Sequence, residues 1–227
     1  MKTKIIAGID EAGRGPLVGD MFIALVAIEE KFLPILNSLG VNDSKKLAKQ
    51  KREKLFPIIL SLSSLVITSR IQPSQIDEYN INSLEMSTIL NIVKKACRII
   101  DIEEIYIDAF TNPKRIEEKI SSLNIRAKVI VEFKADSKYA VVEAASIVAK
   151  VLRDEHIKQL SKVYGDVGSG YPSDRKTIDW LKKYYVTHGE IPPIVRRSWS
   201  TIDKVLHKKI KKGKTLFEYR NYNSSTK

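Results

Sequence analysis

The stretch from Ile5 to Gly15, IIAGIDEAGRG, constrains this chain more than any other. A short apolar run reads as a central strand and ends in two adjacent carboxylates, Asp10 and Glu11, followed by a glycine-flanked arginine, Arg14. An apolar strand running into two acids must either expose them at its end or give them a cation to hold. Gly8, Gly13 and Gly15 take side chains away around the pair, so the backbone there can bend sharply or accept a close neighbour. An ordinary polar loop after a strand is the competing reading, and the remaining carboxylates of the chain decide between them.

A chain of 227 residues with 43% hydrophobic content has room for one sizeable core, or one core with a small appendage. Its 39 Lys and Arg against 27 Asp and Glu leave a formal charge of +12, which favours a polyanionic partner and says nothing about fold. The single cysteine, Cys97, excludes an internal disulfide and a cysteine-based zinc site within one chain. No run reaches the roughly 18 apolar residues of a membrane span, and the N-terminus has no long apolar signal region, so a cytoplasmic protein is expected.

Further strands are expected at Met21–Ile28, Leu62–Ile71, Ile105–Asp108 and Arg126–Phe133, the first paired hairpin-like with the opening strand through Pro16 and Gly19. Asp20, at the start of that second strand, reads as solvated or local to the turn. Val41–Lys54 is basic, with Lys45, Lys46, Lys49, Lys51, Arg52 and Lys54 against Asp43 and Glu53. Asp43 or Ser44 would cap a helix there, its wet face either merely solvated or in contact with phosphate. Ser83–Ile100 has helical period, with Met86, Leu90, Val93, Cys97 and Ile100 on one face and Asn82 with Glu85 as a capping box. Cys97 in that stripe reads as a small core residue.

Asp108 ends a strand just before Asn112 and Pro113 open a helix, and Asp136 lies between a strand and the apolar helix carrying Ala144, Ala145 and Ala149. Such strand ends are common places for functional groups in open α/β sheets. Four carboxylates gathered from these junctions repel one another unless protons or cations compensate. An oxygen-only ligand set suits Mg²⁺ or Mn²⁺, and two ions about 4 Å apart would position a water and stabilise a departing oxygen. A metal-dependent nuclease or related phosphoryl-transfer enzyme is the expectation. One difficulty is geometric: on a regular strand Asp10 and Glu11 face opposite ways, and a break at Glu11 would be needed to bring both to one cluster.

The motifs, in order, resemble those of the type 2 ribonuclease H family, archaeal members in particular. They are GIDEAGRGP at Gly8–Pro16, DSKKL at Asp43–Leu47, YID at Tyr106–Asp108, ADSKYAVVEAASIVAK at Ala135–Lys150 with Arg153 and Asp154, GSGYPSD at Gly168–Asp174 and RRSWST at Arg196–Thr201. The resemblance runs from Ile5 to about Lys208. It implies an α/β fold, an RNase H-like five-stranded mixed sheet flanked by helices, with a small helical C-terminal region. The catalytic core would occupy 1–165, and 166–227 would form a helical region and basic tail packed with it. The implied activity is hydrolysis of RNA in RNA–DNA hybrids and incision on the 5′ side of ribonucleotides in duplex DNA, leaving 5′-phosphate and 3′-hydroxyl ends. The four catalytic, metal-holding carboxylates carry over to Asp10, Glu11, Asp108 and Asp136. Gly13, Arg14 and Gly15 would contact the ribose-bearing junction, Tyr171 the following sugar, and Lys45, Lys46 and Lys138 backbone phosphates. The implied cofactor is Mg²⁺ or Mn²⁺, two ions with substrate bound. The implied protein is a monomer without membrane attachment, and contact with a replication clamp is undecided by the sequence.

Asp20 stands where many members of that family carry proline, which alters the turn's rigidity and charge. His156, His188 and His207 form no local metal motif and read as structural or solvent-facing, and Trp180 and Trp199 as packing groups. Ser173 or Asp174 caps the helix after Tyr171, with Ile178 and Leu181 inward. Arg196–Lys214 carries eight positive charges against Asp203, which suits either phosphate attraction or a solvated terminal helix. A non-catalytic hybrid-binding protein would not need four junction carboxylates, and a different RNase H-like nuclease would not need Arg14 and Tyr171 to recognise a ribonucleotide.

Overall fold

The computed structural model describes residues 3–40 and 48–207. Its centre is β1 (Ile5–Ala12), antiparallel to β2 (Met21–Glu29) without a break in register from Ile5 opposite Glu29 to Ala12 opposite Phe22. β3 (Ser63–Ile71) extends the antiparallel half beyond β2, while β4 (Glu104–Asp108) and β5 (Lys128–Glu132) add parallel strands on the other edge of β1. The order β3-β2-β1-β4-β5 is the five-stranded mixed sheet the sequence led one to expect, with the strand that carries Asp10 and Glu11 in the middle. β2 reads as nearly continuous apolar residues because both its faces are covered: Ile23 to Ile28 are all fully buried.

The helices are α1 (Leu33–Ser38), α2 (Lys49–Leu62), α3 (Pro73–Glu78), α4 (Ile81–Ile99), α5 (Pro113–Ser121), α6 (Ala140–Tyr164), α7 (Arg175–His188) and α8 (Ser200–His207). Asn112 caps α5 through Lys114 N, 3.0 Å away, and Asp174 caps α7 through Lys176 N at 3.0 Å, as their positions before each helix predict. In the basic segment α2 starts only at Lys49. The expected caps Asp43 and Ser44, with Lys45 and Lys46, lie outside the described residues.

α4 departs from the sequence expectation. Its cap is Asn80, whose side chain accepts from Asn82 N and Ser83 N, so Asn82 and Glu85 make no capping box. The buried positions are Glu85, Ile89, Ile92, Val93 and Ala96; of the expected stripe only Val93 is fully buried, and Cys97 is half-buried. Hydrophobic periodicity aligned the face on Met86 and Leu90, one residue round from the true one. It passed over Glu85 because a carboxylate is admitted to such a face only when something holds it.

The described residues group into two compact units that interleave in the sequence: those within 1–14, 21–71 and 79–154 form one, and those within 15–20, 72–78 and 155–207 the other. The division is discontinuous and passes through α6. In the first unit, the N-terminal half of α6 lies directly on β1. A Cβ added to Gly8 would fall 2.3 Å from the carbonyl carbon of Val141, so only glycine permits this approach. The expected small residues Ala144, Ala145 and Ala149 are all buried there. In the second unit, Leu17, Val18, Ile157, Val167, Leu181, Ile194, Val195 and Ile202 form one cluster. Leu17 N and Val18 N both donate to Gly170 O, at 2.7 and 3.1 Å.

Two sequence expectations are corrected in the second unit. Asp20 is buried, not solvated, with His156 Nε2 3.5 Å from its carboxylate. Arg196 is wholly buried, donating from Nε and Nη2 to Gly19 O at 3.2 and 2.9 Å, and so is withdrawn from the basic patch it was counted in. Its carbonyl partner and the Trp199 ring, 5.2 Å away, give the guanidinium the interactions its burial requires. Lys208 to Lys214 lie outside the described residues.

Candidate active site

Register decides which side of the sheet each acid faces. Residues directly opposite on paired strands share a face, and Asp10 lies opposite Ala24, whereas Glu11 lies opposite Ile23. Ala24, Val26 and Ile28 pack with Ala140, Ala144 and Ala145 of α6, which puts Asp10 on the α6 side. On β4, Tyr106 lies beside Gly8 in the parallel pairing and packs on Val141 and Val142, so Asp108, two residues on, points the same way.

Asp136 reaches the same place by a different route. After β5 the chain turns through Lys134, a left-handed non-glycine residue (φ 59°), into a 3₁₀ turn, Ala135–Ser137, just ahead of α6. Ala135 N donates to Asp108 Oδ1 at 2.9 Å, tying the turn to the end of β4, and the Ser137 hydroxyl donates to Asp136 Oδ1 at 3.2 Å. Asp10, Asp108 and Asp136 thereby offer one carboxylate oxygen each within 4.8 Å of one another. Two of the three are buried, and an all-carboxylate set of oxygens fits a hard divalent cation such as Mg²⁺ or Mn²⁺. Burial, and then the charge of Glu11, holds Asp10 well above the usual carboxylate range, with the nearby Ser146 hydroxyl opposing the shift.

Glu11 is not part of that trio. β1 keeps its register through Glu11 to Ala12, yet the Glu11 carboxyl stays within hydrogen-bonding reach of that of Asp10, beside the trio. It remains in the same electrostatic neighbourhood: burial, then Glu85 and Asp108, push it up to about 7, while Asp10 and Arg14 oppose the rise. Glu85 is the residue that sequence reasoning missed. It is fully buried on α4, accepts from Arg14 Nη1 through Oε2, and is pushed up to about 8 by burial and the charges of Asp10 and Asp108 despite Arg14. Its signal in the sequence was misassigned to a helix cap.

Among the expected substrate contacts, Arg14 follows the left-handed Gly13 (φ 94°) and also donates from Nη2 to Asn82 Oδ1. In the second unit Gly15 and Tyr171 come together, since a Cβ on Gly15 would sit 3.9 Å from the tyrosine ring. Tyr171 is 39% exposed at the end of a turn with left-handed Gly168 (φ 67°) and Gly170 (φ 81°), and a Cβ on Gly168 would meet Asp174 and Thr177. Buried Thr177 pins this turn, its hydroxyl donating to Val167 O at 2.8 Å and accepting from Gly170 N at 2.9 Å. Lys138 is exposed and paired with Glu132, whose other oxygen accepts from the Tyr139 hydroxyl at 2.9 Å. Trp180 and Trp199 turn out to be hydrogen-bonded packing groups, donating to Tyr164 O at 2.8 Å and to Gly15 O at 3.3 Å.

The model of the family described as Ribonuclease HII matches residues 7–202. The chain is 45% identical over 205 residues to "Ribonuclease HII" of Pyrococcus furiosus, covering 88% of this chain and 90% of that one. With the enzyme of the same name from Pyrococcus horikoshii, identity is 42% over 218 residues, covering 94% and 98%. Among solved structures, the ribonuclease H2 of P. horikoshii superposes with a TM-score of 0.83 at 41% identity, covering 91% of this chain and 99% of that one. The ribonuclease HII of Archaeoglobus fulgidus, solved in a complex with PCNA, gives 0.78 at 35% identity, covering 86% and 95%. No helix among the described residues is long and apolar enough to cross a membrane. With the whole motif series, the five-strand order and the carboxylate junctions in agreement, the chain belongs to the ribonuclease HII family, endonucleases that act on RNA–DNA hybrids.

Proposed function

We propose that this protein cuts the RNA strand of RNA–DNA hybrids and incises duplex DNA on the 5′ side of an embedded ribonucleotide, leaving a 5′-phosphate and a 3′-hydroxyl. The observation that carries this reading is the convergence of Asp10, Asp108 and Asp136 within 4.8 Å at the ends of a central strand, its parallel neighbour and a 3₁₀ turn. A divalent cation held there would supply Lewis-acid stabilisation of the phosphate and would lower the pKa of a nearby water. Two such ions are part of the proposal, to be held by Asp10, Glu11, Asp108 and Asp136.

The protein's own groups do the rest. The three aspartates hold positive charge where the phosphodiester is attacked, stabilising charge that develops only in the transition state. The hydrogen bond from Ala135 N fixes Asp108, so its carboxylate need not reorganise during the reaction. Gly13, Arg14 and Gly15 form a turn whose backbone and guanidinium donors suit a 2′-hydroxyl, the group that marks RNA against DNA. Tyr171 offers a partly exposed ring to the adjoining sugar. Lys138, with Lys45 and Lys46, supplies salt-sensitive phosphate attraction. The likeness to the A. fulgidus protein extends the proposal to a sliding-clamp partner, and a cytoplasmic location goes with it.

The test is strand cleavage of duplex DNA containing one ribonucleotide, beside an all-DNA control, with and without Mg²⁺ or Mn²⁺. A cation-dependent cut on the 5′ side of the ribonucleotide alone is expected. A cut in all-DNA duplex at the same rate, or none in either substrate by folded protein that binds both, refutes the reading.

A further inference from the structure

Arg14 is gripped from three directions within the first unit. Nη1 donates to Glu85 Oε2, Nη2 donates to Asn82 Oδ1, and the Phe110 ring centroid lies 5.6 Å from Cζ. Asn82 and Glu85 are three residues apart on α4, so their side chains leave the helix on one face. Neither serves the helix itself, because Asn80 already caps it. A fully buried carboxylate is costly to fold around, and the other members of the buried stripe, Ile89, Ile92, Val93 and Ala96, are apolar. An apolar residue at 85 would satisfy the core at lower cost, so what Glu85 adds must lie in its contact with Arg14.

Two acceptors on two different terminal nitrogens fix the plane of a guanidinium as well as its position. Arginine has many rotatable bonds, and freezing them when a ligand arrives weakens binding; freezing them beforehand removes that loss. Either protonation state of Glu85 leaves Oε2 an acceptor, so the grip does not depend on its charge.

We propose that Glu85 and Asn82 are positioning residues for Arg14, holding its guanidinium pre-oriented for the ribonucleotide of the substrate; this rests on the reading of Arg14 as a substrate contact given above. Glu85 therefore acts on ribonucleotide selection without touching the nucleic acid.

The experiment compares binding of duplex DNA containing one ribonucleotide with binding of the same duplex in all-DNA form, in the presence of a chelator so that neither cleavage nor cation binding enters. Parent, Arg14→Ala, Glu85→Ala, Glu85→Gln, Asn82→Ala and the Arg14→Ala/Glu85→Ala double variant are measured. If charge-assisted hydrogen bonds carry the preference, Arg14→Ala lowers it by about ten- to a hundredfold and Glu85→Ala by a similar factor. Glu85→Gln restores most of it, because its amide oxygen still accepts from the guanidinium, and the double variant is no worse than Arg14→Ala. Parental preference in Glu85→Ala, or additive losses in the double variant, overturns the positioning role while leaving Arg14 as a contact. Equal preference in parent and Arg14→Ala overturns the reading of Arg14 and the proposal together. Should Glu85→Ala fail to fold, exposed Asn82→Ala carries the test, and parental preference in it overturns the proposal.

Discussion

Glu85→Gln makes a stability prediction whose sign and size follow from burial. In the folded, metal-free protein the Glu85 carboxyl titrates at about 8 instead of its ordinary 4.5, with burial as the largest cause. Between those two values the folded state holds a proton that the unfolded chain has released, so raising the pH through this window destabilises the parent. Each pH unit costs about 1.4 kcal/mol, giving about 3 kcal/mol at pH 7 and about 4 to 5 kcal/mol above pH 8. Glu11, pushed up to about 7 in part by Glu85, falls in the same window and is not added separately, because each acid raises the other. Glutamine has the same size and no proton to lose, so the variant escapes this loss. Urea denaturation in chelator at pH 4.5, 7 and 8.5 should find parent and variant alike at pH 4.5, with the variant gaining steadily above it. Added Mg²⁺ should narrow the gap by stabilising the parent's ionised carboxylates. A difference between the two proteins that is constant over this range would refute the reasoning, since burial of Glu85 would then carry no protonation cost.

Asp136→Asn should cut turnover by at least about a hundredfold in a cleavage assay while duplex affinity in chelator changes less than about threefold, because its charge acts on the transition state; retained turnover would remove Asp136 from the site. Gly8→Ala should lower the unfolding free energy by about 3 kcal/mol or more in urea titration, as a methyl group 2.3 Å from the Val141 backbone forces α6 off β1, a clash of backbone that no rotamer relieves. Thr177→Val should cost about 1–3 kcal/mol in stability, leaving Gly170 N without its buried acceptor, and should also weaken discrimination for ribonucleotide by loosening the turn that presents Tyr171. Parental stability in that variant would show that the turn is held by its glycines alone.

Much of this molecule was legible in the order of its residues, for reasons that are local. Nearly continuous apolar runs mark strands covered on both faces, as in β2, and Asn112 and Asp174 cap the helices that follow them because a short side-chain oxygen before a helix meets its free N–H groups. Glycines next to Asp10 and Tyr171 announce close packing and left-handed turns, and the acids at strand ends announce a site. The alternation of side chains along a strand made it a question how Asp10 and Glu11 could share a site; β1 keeps its register through both, and their carboxyls still come within hydrogen-bonding reach of each other.

What only the tertiary structure decided concerns partners distant in sequence. Which face of α4 turns inward depended on the sheet it meets, and Glu85 entered the buried stripe because Arg14, 71 residues away, holds it. Arg196 counts as part of a basic patch until the carbonyl of Gly19, 177 residues away, binds it in the interior, and Asp20, which reads as solvated or local to the turn, is buried with His156 beside it. A charged side chain has no preference for interior or surface that its neighbours in sequence can reveal, because the cost of burying it is decided by whichever distant group supplies the compensating hydrogen bond or charge.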